Sequence, residues 1–293
     1  KTSLEYKKAL DYFMQDYLSK GIVLEGFKID GEEIYSADEI KRILFSGINS
    51  FPNFESACRY FVGNFRNHTD EIYSKLNQKY REIYTSNLPK DDPVRKEAVA
   101  KSTALNNLVK NDGVKLLRNY FKKLQLGPLN TYKLFIANLG SYTSELTDTE
   151  LLKLQKSTLQ TLKKRKVTFE DIPSLLHINN LLCGCNQKYN HIVIDEAQDY
   201  GLFHFDALKE TFPSSTFSIY GDLAQSIYSY RGIKDWESVA SEIFGNNCSI
   251  LNLNKSYRTT IEITNNANKV LRQMDLTEAE PVIRHGGEIS FED

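Results

Sequence analysis

Along the first two thirds of the chain, apolar residues recur at helical intervals. Tyr6, Leu10, Phe13, Met14 and Tyr17 lie three or four positions apart, with Thr2 and Glu5 at capping-box spacing ahead of them, so the pattern predicts an amphipathic helix over residues 3–19. Ser36 and Glu39 repeat that signal before Ile40, Ile43 and Leu44, and a short apolar stretch around Asp30-Gly31 predicts a hairpin just upstream. Further helical patterns lie around Phe61 and over Ile72–Tyr84, Val94–Leu126 and Leu146–Leu162, punctuated by Pro52, Leu88–Pro93 and Gly127-Pro128. No repeat of fixed period is visible.

After about Val167 the texture changes. The runs Ile192-Val-Ile194, Thr216–Tyr220 and Cys248–Leu253 are short, rich in β-branched or aromatic residues, and recur about every 25 to 32 positions. Helical patterns over Phe203–Phe212, Asp235–Phe244 and Thr260–Gln273 fill the gaps. Strands alternating with helices at this spacing predict right-handed βαβ units and a parallel sheet covered on both faces, with ligands at the carboxyl ends of the strands.

Composition narrows the class. The 293 residues include 41% hydrophobic side chains, and 37 Lys plus Arg face 38 Asp plus Glu, at a mean hydropathy of −0.44. That balance describes one large folded domain or two ordinary ones, with no apolar run near the roughly 18 residues a membrane crossing needs. The four cysteines (Cys58, Cys183, Cys185, Cys248) lack disulfide-framework spacing and no charged segment followed by an apolar one opens the chain, so the expected compartment is the cytoplasm. Cys183-Gly-Cys185 lacks the second pair a metal site requires and is expected to be a turn. The near-zero net charge hides an asymmetry: residues 1–180 carry +6 and residues 181–293 carry −7. Thirteen cations face four acids between Lys101 and Lys166, which describes either solvated helix faces or a surface for a polyanion or an acidic protein.

The chemistry-bearing residues cluster late in the chain. His191-Ile-Val-Ile194 runs directly into Asp195-Glu196-Ala-Gln198-Asp199, placing two acids where a buried strand ends. The first carboxylate is suited to the water shell of Mg²⁺ beside nucleotide phosphates, and the second to orienting and deprotonating an attacking water. The next strand ends in Gly221-Asp222-Leu-Ala-Gln225-Ser226-Ile227-Tyr228-Ser229-Tyr230-Arg231-Gly232, and the third run in Leu253-Asn254-Lys255-Ser256-Tyr257-Arg258-Thr259-Thr260. Thr259 and Glu262 stand at capping-box spacing there, so Tyr257 and Arg258 are expected just before a helix N-terminus. All three segments are expected at one edge of the sheet.

These blocks resemble motifs II, III and IV of superfamily 1 helicases of the UvrD/Rep branch. Together with Phe169-Glu-Asp-Ile-Pro-Ser-Leu-Leu176 and Phe212-Pro-Ser-Ser215, they are most similar to HelD-like helicases. The resemblance implies Asp195 as the Mg²⁺ residue, Glu196 as base, Gln225 as γ-phosphate sensor and Arg258 as stabiliser of the transferring phosphoryl group. It further implies that Tyr257 stacks on the adenine of ATP and Tyr230 on a base of single-stranded nucleic acid, with Arg231 linking the two sites. Tyr230 stands where relatives usually have Trp, and Ser256 replaces an Asn, so Ser256 receives no role.

The implied fold is α/β: an incomplete RecA-like P-loop NTPase parallel sheet, the second half of a domain 1A, with a large, mainly α-helical, 1B-like insertion. The expected division is an insertion arm over 1–166, the domain 1A half over 167–280, and the start of a linker to a domain 2A over 281–293. No G-x-x-x-x-G-K-[ST] occurs; Gly21–Lys28 comes nearest and has Phe27 where that loop has Lys. The chain is therefore expected to be an internal piece of a larger ATPase, inactive alone. The implied partners are single-stranded or duplex DNA, or RNA polymerase, from which HelD-like proteins clear nucleic acid; no membrane is expected.

Overall fold

The computed structural model describes residues 1–45, 51, 53–124, 126–185, 187–228, 230–274, 276–282 and 284–290; Pro52, Ser229 and part of the 281–293 segment lie outside the described residues. The chain is a mainly helical α/β protein with small parallel sheets, divided into two compact units. Lys1, Ser3–Lys188 and Glu210–Pro213 make the first; Thr2, Tyr189–Lys209 and the residues from Ser214 onward make the second.

In the first unit, α1 (Leu4–Asp16) buries Tyr6, Ala9, Leu10, Phe13 and Met14. Its N-cap is Ser3 rather than Thr2: the Ser3 hydroxyl accepts the Tyr6 N–H at 3.3 Å. A π-helical turn, Tyr17–Gly21, follows it. The predicted hairpin forms from β1 (Phe27–Ile29) and β2 (Glu32–Tyr35), with Asp30 and Gly31 at φ 53° and 79°, the two left-handed positions of a two-residue turn. α2 (Ala37–Phe45) opens on the predicted capping box, the Ser36 N–H donating to Glu39 Oε2 at 2.8 Å and the Glu39 N–H to Ser36 Oγ at 3.2 Å.

Next come α3 (Phe54–Asn67), α4 (Thr69–Tyr84), α5 (Pro93–Asn107) and α6 (Gly113–Lys123). The helical pattern over Val94–Leu126 is thus two helices, joined by a π-helical turn at Leu108–Asp112. Weak helix formers flank that joint, Asn106-Asn107 before it and Asn111-Asp112-Gly113 at its end. The hairpin and α2–α6 share a core centred on Phe27, Ile40, Phe61, Phe65, Val109 and Leu117, each side chain worth about 1.5–3 kcal/mol when fully buried. α7 (Pro128–Asn138), α8 (Asp148–Lys163) and α9 (Ile172–Leu182) complete the unit. The Phe13 ring lies 5.4 Å from both Phe135 and Tyr142, which ties α1 to α7. After α9, Gly184 at φ 73° stops the helix, so Cys183-Gly-Cys185 forms a turn.

In the second unit, β3 (His191–Ile194) and β4 (Thr216–Ile219) pair in parallel, residue for residue, with α10 (Leu202–Thr211) as the intervening helix. α11 (Trp236–Ser238) continues as π-helical Val239–Phe244, and α12 (Ile261–Gln273) follows. The expected strand at Cys248–Leu253 is absent. Leu251 and Leu253 stand 84% and 88% exposed, and the ladder starts at β5 (Lys255–Ser256), which pairs in parallel with β6 (Glu280–Pro281). Strand-like composition is insufficient where no neighbouring chain offers a hydrogen-bonding edge. The α12 N-cap is Thr260, not Thr259; Glu262 accepts instead from the Gly286 N–H and pairs with His285. Among the described residues, no helix is long and apolar enough to cross a membrane.

Candidate nucleotide site

The site grows from the carboxyl ends of β3 and β4. Past the strands, the Tyr220 N–H donates to the Ile194 carbonyl at 2.8 Å and the Ala197 N–H to the Tyr220 carbonyl at 2.9 Å. These two bonds bind the segments after the strands, Asp195–Asp199 and Gly221–Gln225, to each other. Glu196 turns the first segment out of the strand by adopting φ 52°, ψ 37°, a left-handed conformation that costs a non-glycine residue about 1–2 kcal/mol. The turn buries Ala197 and Gln198 and leaves the Asp195 and Glu196 carboxylates exposed.

Gln198, only 3% exposed, joins the segments. Its Nε2 donates to Glu196 Oε2 at 2.7 Å, while its Oε1 accepts the Asp222 N–H at 3.1 Å. Asp222 in turn accepts from the Ala224 N–H at 2.9 Å and from Gln225 Nε2 at 2.8 Å. Glu196, Gln198, Asp222 and Gln225 therefore form one hydrogen-bonded line across the ends of two parallel strands.

Two glycines make room for it. A Cβ on Gly232 would lie 2.2 Å from the Gln198 carbonyl oxygen, and one on Gly221 would lie 2.7 Å from Gln198 Oε1 and 2.9 Å from the Trp236 ring. Gly232 so brings the preceding residues beside the β3 turn. There the Arg231 guanidinium lies 3.9 Å from the Tyr228 ring centroid, and Tyr230 is 76% exposed, with its ring 6.2 Å from Tyr228. The Thr2 hydroxyl donates to the Arg231 carbonyl at 3.0 Å.

The sequence-derived residues do not all converge. Asp195, Glu196 and Gln225 share the line, and Arg231 reaches it through Gly232. Tyr257 and Arg258 are exposed between β5 and α12, on the separate β5/β6 ladder, and the Arg258 carbonyl accepts from Arg284. Among the described residues no hydrogen bond, ion pair or ring contact joins either of them to the Glu196–Gln225 line. The single edge expected for all three segments is thus an edge for two. Gln198, Asp222, Gly221 and Gly232 received no role from the sequence, although the quoted motifs contain them; their work is to connect segments, which spacing alone does not reveal. His191 bonds Thr216 across the ladder at 2.7 Å and His204 accepts the Gly201 N–H, both structural roles.

Asp195 suits a magnesium–nucleotide complex. Its Oδ1 accepts the Glu196 N–H at 2.9 Å, and Oδ2 accepts no bond among the described residues. One hard carboxylate suffices where phosphates and water supply the other ligands. Accordingly, among the described residues, no group of three or more His, Cys, Asp or Glu is arranged to hold a metal ion.

Similarity to known proteins extends over both linked segments. Residues 35–235 match the UvrD/REP helicase N-terminal domain. A probable DNA helicase II homolog of Mycoplasma capricolum is 29% identical over 129 residues, which are 42% of this chain and 18% of that protein. The ATP-dependent DNA helicase Rep of Buchnera aphidicola is 28% identical over 175 residues, 56% of this chain and 25% of that protein. The similar region thus spans a quarter or less of either relative. With more than half its length inside the family match, the chain belongs to the UvrD/REP helicase N-terminal domain family.

Proposed function

We propose that this chain is part of an ATP-dependent superfamily 1 translocase that couples ATP hydrolysis to movement on DNA, with DNA unwinding as the activity of the whole protein. The observation that carries the reading is the continuous line Glu196–Gln198–Asp222–Gln225, because it connects a hydrolytic carboxylate to a residue poised to report on phosphate. Bound MgATP would supply the electrophilic γ-phosphoryl group. Asp195 would hold the ion's water shell, Glu196 would take the proton of the attacking water, and Gln225 would feel the γ-phosphate. A shift of Gln225 would move Asp222 and Gln198, and through Gly232 the Tyr230–Arg231 segment, where exposed Tyr230 can stack on a base of single-stranded nucleic acid. Arg258 would stabilise charge on the phosphoryl group and Tyr257 would stack on adenine, after a rearrangement that brings their ladder to the line.

In this reading residues 1–166 are a 1B-like helical insertion, 167–280 the second half of a RecA-like domain 1A, and 281–293 the start of a linker to a domain 2A. No phosphate-cradling loop occurs in these 293 residues, so the chain alone is proposed not to turn over ATP. A second reading, a HelD-like ATPase that releases RNA polymerase from nucleic acid, is favoured by Phe169–Leu176. That segment opens α9 with Asp171 accepting from the Thr168 N–H and hydroxyl at 2.9 and 3.0 Å, and it is part of the large helical first unit, which would serve as a docking arm.

The test is DNA-stimulated ATP hydrolysis by the whole protein and its Glu196→Gln variant. The expected result is a loss of about 10²-fold or more with nucleotide binding retained. Undiminished hydrolysis by the variant would overturn the assignment of Glu196, and Glu196-dependent turnover by the 293-residue chain alone would overturn its proposed inactivity while keeping that assignment.

A further inference from the structure

The last turn of α10 is gripped by directed polar bonds. His177 on α9, 4% exposed, has Nε2 2.7 Å from Asp11 Oδ1 on α1 and Nδ1 2.6 Å from Glu210 Oε2 on α10. Burial pushes the imidazole down, but the two carboxylates raise it to about 9, so near neutrality the ring holds two protons and donates both. Lys7 Nζ reaches Glu210 Oε1 at 2.9 Å, and Asn180 Nδ2 donates to the hydroxyl of the next residue, Thr211, at 2.7 Å. The first turn of α10 packs on the end of the Asp195–Asp199 segment. There the Tyr200 N–H donates to the Ala197 carbonyl at 3.1 Å, and the Tyr200 ring lies 5.5 Å from His204 and 5.8 Å from Phe205. Phe203, Phe205 and Ala207 are fully buried along the helix, whose ten residues extend about 15 Å as one rigid rod.

Packing alone does not call for charge at the end of this rod. Buried ion pairs repay their desolvation poorly, and an apolar side chain of similar volume would fill the same space. Charged hydrogen bonds add direction: they fix where Glu210 stands along and around the helix axis. The other end of the rod has a use for that precision, because the left-handed backbone of Glu196 persists only where its surroundings over-determine it. We propose that Asp11, His177 and Glu210 form a clamp that seats α10 and through it holds Asp195 and Glu196 in place, so that His177 is a positioning residue for hydrolysis. The proposal rests on the hydrolytic role given to Glu196.

The experiment compares the whole protein with H177Q and E210Q, the second variant testing the same link at a partly exposed position should H177Q fold poorly. D171N is the control: it breaks a buried polar network of the same unit whose bonds run to Lys1, Tyr132 and Thr168. Steady-state ATP hydrolysis and hydrogen exchange over residues 195–200 are measured for each. H177Q and E210Q are each expected to lower kcat about tenfold at unchanged KM for MgATP, the scale of a misplacement below 1 Å, and to speed exchange over 195–200. D171N is expected to lower the unfolding midpoint while keeping the parent's kcat and exchange over 195–200. A loss of kcat in D171N equal to that in H177Q would reduce the effect to stability and overturn the proposal; so would an unchanged kcat in both clamp variants, a change confined to KM, or faster exchange confined to α9. Full hydrolysis by E196Q beside faster 195–200 exchange in H177Q would strike the hydrolytic role and leave the clamp on the turn. An inactive E196Q beside unchanged exchange in H177Q would strike the clamp alone.

Discussion

Two buried polar side chains, Asp171 in the first unit and Gln198 in the second, are satisfied in opposite ways. In the first unit, Asp171 is fully buried and accepts from Lys1 Nζ at 2.6 Å, the Tyr132 hydroxyl at 2.8 Å and both Thr168 donors. Burial pushes the Asp171 carboxyl up, but these donors outweigh it and hold the group below the usual carboxylate range. In the second unit, buried Gln198 has its partners at the surface, on exposed Glu196 and Asp222. An enclosed network fixes one arrangement, whereas a line with exposed ends can be pulled by whatever binds them. The comparison teaches where movement belongs: the Asp171 network is built to hold, the Gln198 line to respond.

The largest expected effect is at the joint of the responsive line. Gly232→Ala sets a Cβ against backbone, where no rotamer change relieves the 2.2 Å approach to the Gln198 carbonyl, and is expected to cost about 3 kcal/mol. Denaturant unfolding should register that loss. If Gly232→Ala leaves stability intact, the contact is not a fixed part of the second unit and the contrast between the units weakens.

His177 tests the other side. It is 4% exposed, with Nε2 2.7 Å from Asp11 Oδ1 and Nδ1 2.6 Å from Glu210 Oε2, while Lys7 reaches Glu210 at 2.9 Å. Burial pushes the imidazole down, but the two carboxylates more than offset this and raise it from 6.5 to about 9, so it is charged near neutrality. A raised folded-state value contributes stability fully below about pH 6.5 and loses it as pH rises through about 9. His177→Ala is expected to cost about 2–3 kcal/mol at pH 7, less than for a fully buried pair because both carboxylates are partly exposed. The pH dependence of unfolding between pH 7 and 10 should flatten in the variant. An equally steep decline would place the titrating group elsewhere.

The sequence was most readable where local chemistry decides the outcome. The Ser36/Glu39 box and the Asp30-Gly31 hairpin formed as spaced, and β3 runs into Asp195-Glu196 at the expected place, although the strand expected to be buried keeps only Ile194 buried and leaves Val193 62% exposed. It was least readable where a distant partner decides. Cys248–Leu253 has strand composition but forms no strand among the described residues, and Tyr257 and Arg258 follow the separate β5/β6 ladder. Gln198 likewise takes its meaning from what lies across a gap in sequence, the Asp222 N–H that it accepts.

Capping gives the smallest and most local contrast. Where two hydroxyl residues are adjacent, as in Thr2-Ser3 and Thr259-Thr260, spacing selected the first and the structure uses the second, because the side chain that reaches the first free N–H groups is set by where the backbone turns helical. At Ser36 no neighbour competes, and three bonds of 2.8, 3.1 and 3.2 Å join it to Glu39. Thr260 makes a single 3.5 Å cap bond to the Ile263 N–H. Ser36→Ala is therefore expected to cost about 1 kcal/mol and Thr260→Ala about half that. The order matters more than the sizes, since a costlier Thr260 would mean that α12 is held by its cap rather than by its packing, reversing the relation between the two units at this finest scale.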